Sequence, residues 1–443
     1  MTTENQGDKA EVEQRTPSTR RRVLAATAIG NFVEWFDSAA YAVMSVTIAG
    51  LFFPRYDNTA ALLATWAVFA AGFIARPIGA AFFGHYGDRV GRNRMLALTV
   101  LTMSGATVLL GLLPTYQTIG LAAPILLFLL RTVQGFSTGG EYTGASAFIM
   151  EYAPEGRRAR FASVVPATVG LATVAGALIG FALTSTLTPE QLSLWGWRVP
   201  FLLAGPLGII GLYLRSKVED TPVFQALERA DTVHKQPLRD AVRLCRRQIA
   251  TLFGYSITNA IAYYLMSSYM IAYVSGELGY SRAQALLTSV VSMLAYSIAC
   301  PFLASASDRY GRRPMLLAAC LGFAVLTLPC FALMSAGIGG AMAGATILAL
   351  LVAMIGTSNV PALVEMFPSP VRASASGIGY TAAYVLFGGT APFVATALVA
   401  GFGTRLAPAY YLMAFAVVSA LVVVFAFKET KDLSLRRETV LAG

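Results

Sequence analysis

Charge is scarce in this chain. Only 13% of its 443 residues are Asp, Glu, Lys or Arg, about half the share usual in soluble globular domains. With 56% hydrophobic residues and a mean hydropathy of +0.62, a water-facing surface is excluded, because there are too few charged side chains to cover one. Histidine and cysteine are also sparse, at two and four residues. Their scatter offers no metal-ligand cluster and no disulfide framework. Cys300, Cys320 and Cys330 lie in apolar segments and Cys245 in an expected cytoplasmic loop, so all four are expected to be free thiols. His85 and His234 are expected to be structural and solvated, respectively. No nucleophile and base arrangement and no nucleotide loop is present, so neither an enzyme nor a bound cofactor is expected. Gly170, Gly176 and Gly180 superficially resemble a dinucleotide fingerprint but follow no strand; they are read as close-packing positions.

Long apolar runs are present instead. They begin near Val23, Leu62, Met95, Leu121, Phe161, Val199, Ile249, Gln284, Met315, Ala341, Ala373 and Ala407, each long enough to cross about 30 Å of hydrocarbon. The expected fold class is therefore an all-α membrane protein of twelve transmembrane helices in two six-helix bundles. The net charge of +10 reflects topology, not nucleic acid, because most Lys and Arg fall in alternate loops and at the termini. Those loops are placed in the cytoplasm with both ends of the chain, as expected of a multi-pass protein of a bacterial-type inner membrane. The segment after residue 22 is too long for a signal peptide and is read as a retained first helix. The expected layout is a tail over 1–22, a bundle over 23–217, a cytoplasmic linker over 218–248, a second bundle over 249–428 and a tail over 429–443.

Two basic segments repeat. Asp88, Arg89, Gly91, Arg92 and Met95 return as Asp308, Arg309, Gly311, Arg312 and Met315, an offset of about 220 residues that marks a duplicated transporter. Glu151, Pro154, Arg158 and Ala159 likewise return as Glu365, Pro368, Arg372 and Ala373. Asp88, Arg89, Arg92, Glu151, Arg158, Asp308, Arg309, Arg312, Glu365 and Arg372 are candidates for a cytoplasmic gate that bridges helix ends in one state and releases them in another. Glu151 with Arg158, and Glu365 with Arg372, would extend the same inner network. A purely topological role for the arginines is the competing reading.

Other charges stand where a bilayer should not tolerate them. Glu34 and Asp37 in NFVEWFD fall near mid-membrane on one helical face, where each would cost about 3 kcal/mol if unpaired. Close buried carboxylates raise one another's proton affinity, so the pair, with Glu141, is a candidate for proton coupling. A fixed salt bridge is the alternative. Arg131 and Arg76 are possible partners, and Arg131 heads a polar stripe with Gln134, Thr138, Glu141 and Tyr142 that must face a cavity or another polar helix. Arg131 could neutralise Glu34 or bind a solute carboxylate. The second half offers Asn259, Tyr263, Tyr264, Tyr380 and Tyr384. With Trp35 and Tyr142, these rings could surround a quaternary ammonium by cation–π attraction, or simply pack. Arg131, Trp35, Gln134, Tyr142, Asn259, Tyr263, Tyr264, Tyr380 and Tyr384 are thus the substrate-binding candidates, suited to a small zwitterion.

With its loop pattern G-x-x-x-D-R-x-G-R and the copy of it, the chain resembles the major facilitator superfamily from Arg22 to Thr430. GNFVEWFD, RTVQGFSTGGEYTGA, WGWRVPFLLAGPLGIIGLYLR and LAPAYYLMAFAVVSA are more narrowly similar to the metabolite:proton symporter family, and GGEYTGA to its proline/glycine betaine transporters. The resemblance implies alternating access, proton symport and zwitterionic osmolytes as substrates. The short segment after Lys428 departs from relatives with a long heptad-bearing tail, so direct osmotic activation through such a tail is not expected. Helix five, with SVVPATVGLATVAG, lacks the acidic, amide or aromatic residues that relatives often carry there. It also lacks the Gly-Pro motif of drug antiporters, which favours uptake over export. The competing expectations are symport of an organic acid such as α-ketoglutarate or shikimate, with Arg76 as a second cationic contact, and a membrane sensor that binds without translocating. Expected partners are the small solute, protons and lipid, with the protein working as a monomer.

Overall fold

A computed structural model describes residues 17–53, 57–90, 92–139, 146, 149–150, 152–154, 156–216, 237–368 and 371–433. Among the described residues the chain forms twelve long helical segments. The first half holds α1 (Pro17–Phe52), α2 (Asn58–Val90), α3 (Arg92–Leu112), α4 (Ala122–Ser137), α5 (Arg158–Thr186) and α6 (Val199–Ser216). The second holds α7 (Pro237–Tyr264, extended by turns to Glu277), α8 (Arg282–Tyr310), α9 (Arg312–Met334), α10 (Ile338–Glu365), α11 (Arg372–Phe402) and α12 (Ala407–Phe425). Each expected apolar run falls on one of these segments. Eight of them are long and apolar enough to cross a membrane by length and composition. Helices are the natural outcome, because a segment in hydrocarbon must satisfy its own backbone.

Polarity is arranged inside out. Large apolar side chains such as Ile298, Phe302 and Phe425 are exposed, while Asn31, Asp37, Arg131, Gln134 and Asn259 are buried. Apolar exteriors are what lipid solvates, and the polar groups must then find partners inward.

Small residues bring helices together without side chains between them. A Cβ at Gly135 of α4 would collide with the Gly72 carbonyl of α2, and one at Gly139 would meet the Arg76 carbonyl. Gly176 of α5 lies 3.1 Å from the Ala39 side chain of α1, measured from an ideal Cβ, so the helix-five glycines serve packing as expected. The halves meet where α5 packs on α8 and where α2 packs on α11.

Two long helices are irregular. α7 contains π-helical turns at Leu265–Tyr269 and Tyr273–Glu277, and α11 one at Tyr384–Gly388; such bulges insert a residue and re-aim the side chains around them. α7 also begins at Pro237, ahead of the expected bundle start at Ile249, and breaks its helical dihedrals at Cys245 (φ −118°, ψ 20°). Cys245 is therefore not in a loop: it is buried in this kinked helix, because Ala241 and Cys245 form its inward face while Val242 and Leu244 point out. All four cysteines are buried, and none forms a disulfide among the described residues.

Candidate functional site

The α1 carboxylate at Asp37 is buried and accepts a hydrogen bond from Thr107 Oγ1 of α3 at 2.9 Å. Thr107 in turn accepts from Gln134 Nε2 of α4 at 2.5 Å, and Gln134 Oε1 accepts from Arg131 Nη1 at 2.9 Å. One unbroken chain thus links the buried guanidinium to the buried acid. Arg131 is 4% exposed and is faced by the Tyr41 ring at 4.3 Å and the Phe69 ring at 5.1 Å. Tyr41 is fixed by donating to the Thr65 carbonyl at 2.9 Å. Aromatic faces and amide oxygens compensate part of the cost of holding a cation away from water.

Beside this chain lies an aromatic cluster built from both halves. Trp35 meets Tyr263 edge-on at 5.5 Å and stacks on Tyr264 at 6.3 Å. Tyr264 also touches Phe69 at 5.9 Å, Phe73 at 5.1 Å and Tyr384 at 6.3 Å. Tyr384 stacks on Tyr380 at 4.1 Å and accepts from Asn259 Nδ2 at 2.8 Å. The Tyr263 hydroxyl shares a hydrogen bond with Thr173 of α5 at 3.2 Å. Glu34 is half-buried one turn from Asp37, and Tyr264 lies in the fields of both Glu34 and Arg76. The π turns of α7 and α11 begin next to Tyr264 and at Tyr384, where the ring positions are set. A cluster of electron-rich faces beside guanidinium and carboxylate groups can hold a molecule that carries both charges.

Of the expected site residues, Glu34, Asp37, Trp35, Arg131, Gln134, Asn259, Tyr263, Tyr264, Tyr380 and Tyr384 belong to this region. Glu141, Tyr142 and Glu151 lie outside the described residues, as do the side chains of Asp88, Arg89 and Arg92. Tyr41, Phe69, Phe73 and Thr107 were not anticipated. The spacing of Phe69, Phe73 and Arg76, which puts all three on one face of α2, was the available signal.

The repeated loop of the second half is densely bonded. Arg312 is 1% exposed. It binds Glu365 through Nε at 3.2 Å and Nη2 at 3.0 Å, and Asp308 through Nη1 at 2.9 Å. Asp308 also reaches across to the first half, accepting from the backbone N–H groups of Ala159 and Arg160 at 2.9 Å each. A carboxylate at the first turn of α5 satisfies donors that the helix itself leaves open. Arg158 lies 3.7 Å from Glu365 and donates to the Leu433 carbonyl at 2.7 Å. Arg372 turns its Nε to the Val364 carbonyl at 3.0 Å. Arg309 lies over the Tyr310 ring at 5.3 Å.

The segment after α12 completes this end. Thr430 Oγ1 donates to Glu365 at 2.8 Å. Glu429 accepts from the N–H groups of Arg312, Arg313, Thr430 and Lys431 at 2.8 to 3.0 Å. Partial burial raises the proton affinity of Glu429, but these four donors outweigh it and hold the carboxyl below its usual 4.5. Gly311 has φ +107°, and an ideal Cβ there would sit 2.5 Å from Glu429 Oε2; glycine is what allows this carboxylate to approach. At the opposite end Arg282 of α8 donates to Thr47 Oγ1 at 2.5 Å and to the Val43 carbonyl at 3.1 Å, both on α1.

Two helical halves closing on a central polar and aromatic site, with bonded contacts between them at both ends, define a transporter of the major facilitator architecture. The chain belongs to the sugar (and other) transporter family, whose model it matches over residues 23–440. It is 37% identical over 437 residues to the proline/betaine transporter of Escherichia coli K12, covering 96% of this chain and 86% of that protein. It is also 37% identical to the glycine betaine/proline/ectoine/pipecolic acid transporter OusA of Dickeya dadantii, with the same coverage. The ectoine/proline transporter ProP of Corynebacterium glutamicum is 35% identical, covering 92% of this chain and 84% of that protein. Among solved structures, the proton:xylose symporter XylE bound to 6-bromo-6-deoxy-D-glucose matches with a TM-score of 0.76 at 18% identity, over 95% of this chain and 98% of that one. The partially occluded inward open form of XylE from E. coli matches with a TM-score of 0.74 at 16% identity, over 94% of this chain and 100% of that one. These structures share the fold.

Proposed function

We propose that the protein imports a small zwitterionic osmolyte of the glycine betaine or proline type together with protons, by alternating access across a bacterial-type inner membrane. Both termini and the Asp308 end face the cytoplasm in this reading. The observation that carries it is the Tyr264-centred cluster, where rings from both halves stand beside the Arg131 to Asp37 chain. The rings favour an alkylated ammonium, which water solvates weakly, over a hydroxyl-rich solute, which would leave donors unpaired. The nearby guanidinium groups supply the complement to a carboxylate.

Asp37 and Glu34 are the coupling acids. A proton taken by Asp37 from the outside removes the charge at one end of the Thr107–Gln134–Arg131 chain, which changes what Arg131 must neutralise. That change would link protonation to closure around the solute. Asp308, Arg312, Glu365 and Arg158 close the cytoplasmic side, and the same residues must part for release.

The test is uptake of labelled glycine betaine into proteoliposomes under an imposed inward proton gradient. Accumulation that an uncoupler abolishes and proline competes is expected. Absence of betaine uptake would overturn the reading. A second reading, organic-acid symport, draws support from the two guanidinium groups of Arg76 and Arg131 near one cluster. Strong uptake of α-ketoglutarate or shikimate in place of betaine would select it.

A further inference from the structure

Resting on that zwitterion reading, we propose that Arg76, and not Arg131, receives the carboxylate of the solute. The side chains that cover Arg131 come from the first half, although Tyr264 of the second half lies in its field. Its Nη1 is given to Gln134, its faces are covered by Tyr41 and Phe69, and it is 4% exposed. A solute reaching it would have to displace a ring or break the link toward Asp37. Arg131 is therefore a positioning residue for the coupling acid.

Arg76 stands differently. It follows Phe69 and Phe73 on the face of α2 that meets α7, its guanidinium 4.0 Å from the centre of the Phe73 ring. That ring also meets Phe69 at 5.3 Å and Tyr264 of the second half at 5.1 Å, and Tyr264 lies in the fields of both Arg76 and Arg131. The buried Nε of each arginine has no hydrogen-bond partner, but Arg76 is half-buried where Arg131 is 4% exposed. A half-buried guanidinium backed by an aromatic face, with a donor to spare, fits a carboxylate that arrives from the cluster. Trp35, Tyr263, Tyr264 and Tyr384 would then hold the ammonium end. Because α2 packs on α11 through Phe73 and Gly389, a carboxylate bound at Arg76 lies at the seam between the halves.

Glycine betaine and choline both carry a trimethylammonium group, but choline has a hydroxyl where betaine has its carboxylate. Counterflow of labelled proline in proteoliposomes without a proton gradient gives the competition by each. The wild type is expected to prefer betaine by about tenfold or more, the usual scale for a charge-assisted contact. In Arg76→Gln that ratio should fall to within about threefold, with Arg76→Lys intermediate because a point charge cannot supply two parallel donors. In Arg131→Gln the ratio should persist while transport slows. A merely structural defect at Arg76 would weaken both competitors alike and leave the ratio standing, and that outcome overturns the proposal. So does loss of the ratio in Arg131→Gln alone. Where a variant gives no counterflow, thermal stabilisation of the purified protein by betaine against choline supplies the same ratio. A wild type that exchanges neither proline nor betaine defeats the zwitterion reading itself, before any substitution is made.

Discussion

Arg131 reaches Asp37 only through two neutral side chains, Gln134 and Thr107. A direct ion pair would fix both charges. A chain of hydrogen bonds transmits a change at one end to the other while leaving the acid free to take a proton. Asp37→Asn should therefore abolish gradient-driven accumulation yet permit exchange. Thr107→Val breaks the chain without touching either charge, leaves Gln134 Nε2 unpaired, and should cost about 1–3 kcal/mol of stability. Accumulation ratio and melting temperature, measured on both variants, check this. Full accumulation by Asp37→Asn would remove Asp37 from coupling.

Tyr264 meets the rings of Trp35, Phe69, Phe73, Tyr263 and Tyr384, so its ring and its hydroxyl can be separated experimentally. Tyr264→Phe retains every ring contact and should keep betaine competition within about threefold of wild type. Tyr264→Ala should weaken it about tenfold, as expected for a desolvated cation–π contact of 1–2 kcal/mol. Equal losses in both variants would place the binding contribution in the hydroxyl.

Glu429 gives the Asp308 end a defined acid sensitivity. Its folded-state proton affinity lies below the usual carboxyl value of 4.5. The stability it contributes is thus fully present above that value and is lost as pH falls below it, through the folded value. Melting temperature followed from pH 6 downward should drop more steeply in the wild type than in Glu429→Gln, which has no charge to lose. Parallel curves would refute the assignment.

Much of the fold was legible because a bilayer writes it into composition: each apolar run became a helix at its expected place. The Arg131–Gln134 stripe and the buried acid Asp37 were legible for the same reason, since charge in hydrocarbon must be answered. Thr107 was not, because a threonine on an apolar helix makes its usual bond to the preceding turn and carries no mark of a second partner. Asp308 capping Ala159 and Arg160 was equally hidden: its partners are backbone amides, which sequence does not distinguish. Glu365 and Arg372 were expected to extend one inner network; that Glu365 grips Arg312 on another helix is a contact the spacing does not show. There the fold, not the spacing, sets the pairing.

The glycines where α2 meets α4 have a mechanical meaning. Gly72 faces the Arg131 carbonyl and Gly139 faces the Arg76 carbonyl, so each arginine-bearing turn is pressed against the bare backbone of the other helix. With no side chains between them to change rotamer, these turns have nothing to slide on. Arg76 and Arg131 therefore share one chassis, and in the proposed cycle the backbone distance from solute anchor to proton relay would stay constant. Whatever the cycle changes must be carried by the swing of side chains and by the helices of the other half moving past this fixed frame.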